Sequence, residues 1–307
     1  MIVEFVPAPV TAGKLMDLTL LGQQLVNGLV NGMSYVLIST GLTLVFGVLR
    51  VINFAHGEFY MLGAFLTYYG MTVAGIGYIP AAILSTMAVG GLGVAVNNLF
   101  FWPLRREHEF TILLSSLGMS LLITHLAELG FGHDPKYLSS PFTDDILELG
   151  SIIMTAQRAV IFIVSIAVLA LTYAAIRYTT FGKMMRATAQ NPEGAALTGV
   201  NIRFVHSFTF VLACGLAALA GAMVGPLAMI FPTVGSWAVL KGFIVVVLGG
   251  LGSVPGALVG GLSLGVIEAL AGGYVSLGFM EAIGYAIIIL VLLWRPQGLF
   301  GVTADGR

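Results

Sequence analysis

Amide and hydroxyl side chains recur along the first apolar stretch of the sequence. Asn27, Asn31 and Ser34 are spaced by four and three residues, which places them on one face of a helix. An amide within a lipid bilayer must find a hydrogen-bonding partner. This face is therefore predicted either to bond with a neighbouring helix, with Gly28 and Gly32 as the close-packing surface, or to line an aqueous path.

A second polar group follows directly after Arg50. It consists of Asn53, His56 and Glu58. A zinc site needs three or four ligands within reach of one ion, and the remaining histidines are scattered over separate segments. We therefore predict no metal here and interpret the group as hydrogen-bonded helix capping or a gating contact.

Three acidic residues lie within or at the edges of other apolar stretches, namely Glu128, Glu268 and Glu281. Charged groups in such positions usually mark a pathway or a paired interior site. A place at the membrane interface and a role in proton or ion coupling are the alternatives.

Templates for catalysis are missing from the sequence. It contains no GxSxG elbow, no HExxH pair and no GxxxxGK[ST] phosphate loop. Gly182-Lys183 lacks the earlier glycine that such a loop requires. We predict no catalytic residue and no ATP hydrolysis by the chain itself.

The composition is that of a membrane protein. Only 9% of the 307 residues are charged, 58% are hydrophobic, and the mean hydropathy is +1.00. A water-covered globule of this size carries about 25% charged residues. The net charge of −1 offers no basic surface for nucleic acid, and the single cysteine, Cys214, forms no intramolecular disulfide. The 40 glycines suit helices packed closely in lipid.

The apolar stretches predict an all-α fold: a polytopic transmembrane helix bundle of about 8 hydrophobic spans in a single domain, residues 1–307. One stretch, Val239 to Ala271, is too long for one span and contains a Gly-rich interruption, so it is either a broken helix or a re-entrant segment. Lys241 at its start is expected to snorkel to the headgroups. The other spans are Leu18 to Val48, Gly57 to Ala74, Ile79 to Phe101, Thr111 to Phe131, Arg158 to Tyr178, Phe204 to Met229 and Met280 to Trp294.

The distribution of lysine and arginine predicts the orientation, because cytoplasmic loops carry the excess of positive charge. The loop 132–157 is acidic and is assigned to the periplasm. The N-terminus, without a cleaved signal peptide, is expected on the same side, and the C-terminus in the cytoplasm. The cytoplasmic ends are marked by Arg50, Arg105, Arg106, Arg177, Lys183, Arg186, Arg203 and Arg295.

The loop 179–203 contains a helix start. Asn191 is a typical N-cap, Pro192 suits the first turn, and Glu193 follows. Small residues after them give a compact surface. This short helix is predicted to dock into a groove on another protein, or else to fold back on its own bundle.

Residues Glu193 to Gly199 resemble the coupling loop of ABC importer permeases, in which Glu-Ala-Ala is followed after three residues by Gly. Gly194 replaces the first alanine, and the Ile-x-Leu-Pro tail of many importers is missing. The sequence from Gln23 to Gly301 is similar, more specifically, to the LivH-type permeases of branched-chain amino acid importers. Three strings in the expected order carry this likeness: Val51 to Glu58, Leu248 to Ala257 and Arg295 to Gly301.

This resemblance implies a permease subunit of the bacterial inner membrane that works with a LivM-type permease, two ABC ATPases and a periplasmic substrate-binding protein. ATP and Mg would be bound by the ATPases, so no cofactor is expected in this chain. Contact with the ATPases would come from Ala189, Asn191, Pro192, Glu193, Ala195, Ala196 and Gly199. The candidate translocation path comprises Asn27, Asn31, Ser34, Asn53, His56, Gly249, Gly250, Gly252 and Ser253.

No residue decides among branched-chain amino acids, other amino acids, amides, urea and aromatic acids. The alternative function is an ion-coupled secondary transporter of a small polar solute, which is often built on broken helices. An integral-membrane enzyme is the third possibility.

Overall fold

The computed structural model describes residues 18–301, which are mostly helical. One short hairpin consists of strands β1 (Ile146–Leu149) and β2 (Ile152–Thr155). The helices are α1 (Leu18–Leu49), α2 (His56–Thr72), α3 (Tyr78–Val96), α4 (Trp102–Leu104), α5 (Glu109–Phe131), α6 (Ala156–Tyr178), α7 (Thr180–Gln190), α8 (Pro192–Leu197), α9 (Ile202–Val224), α10 (Val234–Gly249), α11 (Val254–Tyr274) and α12 (Met280–Trp294). A π-helical turn over Asn97–Phe101 connects α3 to α4.

Within this described part, seven helical segments are long and apolar enough to cross a membrane. They contain α1, α3, α5, α6, α9, α11 and α12. Helices α1 and α9 are the most enclosed, whereas α6 and α12 lie at the periphery. The predicted polytopic helix bundle is confirmed, and the chain has the architecture of a multi-pass membrane protein.

Helix α1 packs antiparallel against α11 through glycines on both helices. A β-carbon on Gly28 would lie 2.6 Å from Val266 Cα, and one on Gly32 would lie 2.9 Å from the Gly261 carbonyl oxygen. Both distances are too short for any side chain, so the two backbones are in direct contact. The role of Gly28 and Gly32 as a close-packing surface is therefore confirmed.

Helix α2 begins inside the bundle. His56 Nε2 donates to the Ile38 carbonyl oxygen at 3.1 Å, and Ile38 precedes the end of α1 by about three turns, roughly 16 Å. The chain therefore turns back along α1 after Leu49 before α2 starts. The predicted span Gly57 to Ala74 exists as the helix His56–Thr72, but this helix starts partway through the bundle.

Helix α10 begins beside the first turn of α2. A β-carbon on Gly235 would lie 2.6 Å from Glu58 Oε2 and 2.8 Å from the Gly57 carbonyl oxygen. From this meeting point α10 follows α1 towards Gly47. The turn after α10 packs there, with Gly252 against Gly47. Helix α2 runs the other way, towards the loop 132–157, and Tyr69 Oη donates to the Phe131 carbonyl oxygen at 3.3 Å. Two short helices thus start from one point and diverge.

The stretch Val239 to Ala271 is divided into α10 and α11 at the predicted break, although α10 already begins at Val234. Residues near the C-terminus cover the break: the Leu299 amide donates to the Leu248 carbonyl at 2.8 Å, and the Phe300 amide to the Gly249 carbonyl at 3.0 Å. Two strings that carry the family likeness, 248–257 and 295–301, therefore contact each other.

The hairpin in the loop 132–157 is an element that the sequence did not predict. Its two strands are antiparallel and joined by Gly150 and Ser151, with Gly150 at φ 68°. Gln23 fastens the hairpin to α1, because its side chain bonds the Ile153 amide at 2.9 Å and the Ile153 carbonyl at 2.8 Å.

Candidate functional site

The predicted helix start in the loop 179–203 is present as α8. Asn191 Oδ1 accepts a hydrogen bond from the Gly194 amide at 2.9 Å, and Pro192 occupies the first turn. At the other end, Gly199 adopts φ 87° and its amide donates to the Ala196 carbonyl at 3.0 Å. A left-handed residue at this place is the usual end of a helix and favours glycine.

Helix α8 has one anchored side and one exposed side. Ala195 is buried, whereas Glu193, Ala196 and Gly199 are exposed. Leu197 is 90% exposed and was missed at the sequence level. Its signal was a leucine among the small and polar residues from Arg186 to Gly199. The loop therefore folds back on its bundle through Ala195 and still presents an apolar knob on its outer side.

Helix α7 packs against α8. Thr179 Oγ1 caps its first turn by accepting from the Gly182 amide at 3.1 Å. Met185 and Thr188 are buried, whereas Ala189 is only partly exposed. This amphipathic helix fixes the position of α8 relative to α6 and α9.

The polar face of α1 divides into two parts. Asn27 Oδ1 accepts from Arg158 Nη1 at 2.6 Å and from Gln23 Nε2 at 3.3 Å, so it bonds a neighbouring helix. Ser34 donates to the Val30 carbonyl of its own helix at 3.4 Å. Asn31 is half-buried, and its side chain makes no hydrogen bond within the described part of the chain. Asn31 is thus the member of this face whose amide keeps its hydrogen-bonding capacity free.

The structure places Asn53, His56 and Glu58 together where α2 and α10 begin. All three are fully or almost fully buried. Asn53 Oδ1 accepts from the Ala55 amide at 3.0 Å, and Glu58 Oε1 accepts from Ser120 Oγ at 2.9 Å.

This group leaves several polar atoms without a hydrogen-bonding partner. They are Asn53 Nδ2, His56 Nδ1 and Glu58 Oε2. Leaving one such atom unpaired costs about 1–3 kcal/mol. The positive ends of two helix dipoles also point to this place. Unmet polar capacity inside an apolar bundle is what water or a passing polar solute would satisfy.

The glycines at the break between α10 and α11 take part in packing. Gly249 contacts Gly256, Gly250 at φ 102° contacts Gly301, and Gly252 contacts Gly47. Ser253 Oγ accepts from the Gly256 amide at 3.1 Å and caps α11. These contacts account for the small residues, while a place for Gly249, Gly250, Gly252 and Ser253 on the path stays a prediction.

The expectation that Lys241 snorkels to the headgroups is wrong. Its side chain is 0% exposed, and Nζ lies 2.6 Å from Glu268 Oε1 and 3.4 Å from Glu281 Oε1. Tyr35 Oη donates to the other oxygen of Glu268 at 2.8 Å. Helix α10 starts inside the bundle, so Lys241 lies too deep to reach headgroups and pairs instead. The alternative of a paired interior site thus holds for Glu268, whereas Glu281 pairs with Lys241 but is 47% exposed.

Glu128 lies near the end of α5, beside the acidic loop. It contacts two exposed histidines, His125 at 2.8 Å and His133 at 3.8 Å. This arrangement corresponds to the interfacial alternative for Glu128. In residues 18–301, no three His, Cys, Asp or Glu side chains, these three included, are grouped as ligands for a metal ion.

Comparisons with known proteins show consistent matches. A family model described as "Branched-chain amino acid transport system / permease component" matches residues 24–293. The "High-affinity branched-chain amino acid transport system permease protein LivH" of Salmonella typhimurium is 37% identical over 297 residues, which cover 91% of this chain and 95% of the relative. The permease protein BraD of Pseudomonas aeruginosa is 32% identical, with the same coverage of each chain. No solved structure matches the chain.

Proposed function

Since the chain belongs to the family of branched-chain amino acid transport permeases, we propose that it is the LivH-type permease subunit of an ABC importer for branched-chain or related amino acids. It forms the translocation path together with a homologous LivM-type subunit. Two ATPase subunits, which bind ATP and Mg, drive the transport, and a periplasmic binding protein delivers the substrate. The complex resides in the bacterial inner membrane, with the loop 179–203 in the cytoplasm.

The single observation that carries this proposal is the surface of α8. A short capped helix presents Glu193, Ala196 and the exposed apolar knob of Leu197 on the basic side of the bundle. An apolar knob on an exposed helix is suited to a groove on a partner protein. Movement of an ATPase groove would be passed through α7 to α1, α6 and α9. The contact residues are Ala189, Asn191, Pro192, Glu193, Ala195, Ala196, Leu197 and Gly199.

The proposed path runs past the polar atoms described above. Asn31, Asn53 and His56 offer hydrogen bonds to a zwitterion in transit. The N-termini of α2 and α10, which meet at one point, offer positive potential to its carboxylate. Asn27 and Ser34 lie on the same face of α1 but already have partners. The peripheral helices α6 and α12 leave apolar surface for lipid or for the second permease chain.

Reconstitution tests this function. The chain is placed in vesicles with a LivM-type subunit, both ATPases and the binding protein, and candidate ligands are screened for stimulated ATP hydrolysis and for uptake. We expect leucine, isoleucine or valine to stimulate both. Uptake by this chain alone, driven by an ion gradient and independent of the ATPases, would instead establish the secondary transporter.

Cysteine labelling tests the path. In a Cys214→Ala background, Asn31→Cys and Asn53→Cys are expected to react with a small polar thiol reagent, and the rate should change when ATP is added. Ser85→Cys is the control, because Ser85 is buried between α2 and α3 and bonds Thr67 at 2.8 Å. Reaction of Asn31→Cys and Asn53→Cys as slow as that of Ser85→Cys, in every nucleotide state, would contradict the path.

A further inference from the structure

A cavity of about 410 Å³ opens on the basic side of the bundle, between the end of α1 and the start of α5. Its walls include the chain that turns back from α1 towards α2, at Val51 and Ile52. The next residue, Asn53, is buried in the polar group where α2 and α10 begin. The cavity therefore adjoins the proposed path at what we assign as its cytoplasmic end.

Charged groups of both signs line this cavity. Arg50 and Glu109 are exposed, and neither side chain forms an ion pair within residues 18–301. His108 Nδ1 accepts from the Phe110 amide at 3.2 Å, so its other ring nitrogen, Nε2, is available as a donor. The cavity thus offers donors for an anionic group and a carboxylate for an ammonium group.

Arg50 is held in an unusual backbone conformation. Its φ of 54° lies in the left-handed region, and it is the one described non-glycine residue with a positive φ. This conformation is unfavourable for an L-residue with a long side chain. Strained residues of this kind concentrate at functional sites. Here the strain accompanies a guanidinium on the cavity wall.

The remaining walls are apolar. They are formed by Phe46, Val51, Ile52, Phe110, Ile112 and Leu113. A ligand that satisfies the whole cavity carries an anion for Arg50, an ammonium for Glu109 and an apolar group for these side chains. Two sources share this chemistry: a free amino acid with an aliphatic side chain, and a phosphatidylethanolamine lipid of the inner leaflet.

We propose that this cavity is a cytoplasm-facing binding site for the transported amino acid, in which Arg50 binds the carboxylate and Glu109 the ammonium. The site rests on the proposed permease function and adds the inner end of the path to it. It selects zwitterions with an aliphatic side chain over amides, urea and other uncharged solutes.

Direct binding tests the site. Radiolabelled leucine is bound to the complete complex, without nucleotide or binding protein, in vesicles of phosphatidylcholine alone. Arg50→Gln and Glu109→Gln are each expected to weaken binding at least tenfold, because each removes a charge-assisted hydrogen bond. Arg105→Gln is the matched control, since Arg105 already bonds the Trp102 carbonyl at 2.7 Å and lies outside the cavity lining.

Competition by leucine analogues tests the carboxylate and ammonium contacts separately, and it can be measured on the wild-type complex. Leucinamide lacks the carboxylate and 4-methylpentanoate lacks the ammonium, so each should compete at least tenfold more weakly than leucine. Leucinamide should compete equally well in the wild type and in Arg50→Gln.

Three results would overturn the site. They are equal binding of leucine by the wild type and Arg50→Gln, equal competition by leucine and leucinamide, and an effect of Arg50→Gln that appears only when phosphatidylethanolamine is added. ATP-driven uptake by the wild type, measured in the same vesicles, keeps the two proposals apart. If uptake occurs and leucine binding is unchanged by Arg50→Gln, only the binding-site proposal is refuted. If no uptake occurs with any amino acid, the permease function fails as well.

Discussion

Replacing Gly199 by alanine should lower ATP-driven uptake at least tenfold while the chain still folds in the membrane. Gly199 ends α8 at φ 87°, where alanine is strained by roughly 1–2 kcal/mol. No other atom lies within 4 Å of the position of an added β-carbon, so the bundle itself would not be disturbed. The strain would be relieved by a shift of α8, and with it of Glu193 and Leu197. Leu197→Asp should have the same effect by removing the apolar knob.

The measurement is uptake per molecule of ATP hydrolysed, with folding followed by the amount of monodisperse complex. Gly132→Ala is a closely matched control, because Gly132 ends α5 at φ 82° and also has open space around its β-carbon position. It lies at the opposite end of the bundle. Uptake unchanged in both Gly199→Ala and Leu197→Asp would refute the docking role of α8.

Replacing Lys241 by methionine should destabilise the bundle by about 3–5 kcal/mol, because it leaves the buried carboxylate of Glu268 without its charge partner. Lys241 Nζ is 2.6 Å from Glu268, and these two side chains are 0% and 2% exposed. The measurement is the thermal unfolding temperature of the purified chain in detergent. Glu268→Gln should be destabilising for the converse reason.

The double variant, Lys241→Met with Glu268→Gln, is expected to recover much of the lost stability, since neither charge is then buried alone. Glu281→Gln is the control for the third member of the group. Glu281 is 47% exposed and 3.4 Å from Lys241, so its loss should cost less than about 1 kcal/mol. Additive losses in the double variant would show that the charges do not stabilise each other.

The helix bundle could be predicted from the sequence because each membrane-spanning segment must satisfy its own backbone hydrogen bonds and exclude charge. Both requirements are visible within the segment itself. Runs of apolar residues and the glycine-rich break after Leu248 are visible without any long-range contact. The start of α8 was predictable for the same reason, since an Asn-Pro-Glu cap depends only on its neighbours.

The points at which α2 and α10 begin were not predictable. They depend on the contact of Gly57 with Gly235 and of His56 with Ile38, which are distant in sequence. The depth of Lys241 follows from the same geometry, and hydropathy alone places a lone lysine at the membrane surface. The hairpin 146–155 was hidden because its strands are only four residues each.

The two hydrogen bonds from Leu299 and Phe300 to the break between α10 and α11 also impose an order on folding during synthesis. Leu248 and Gly249 leave the ribosome about fifty residues before the partners that complete their backbone pairing. The backbone pairing of the turn between α10 and α11 is therefore completed only after residue 300 has been made.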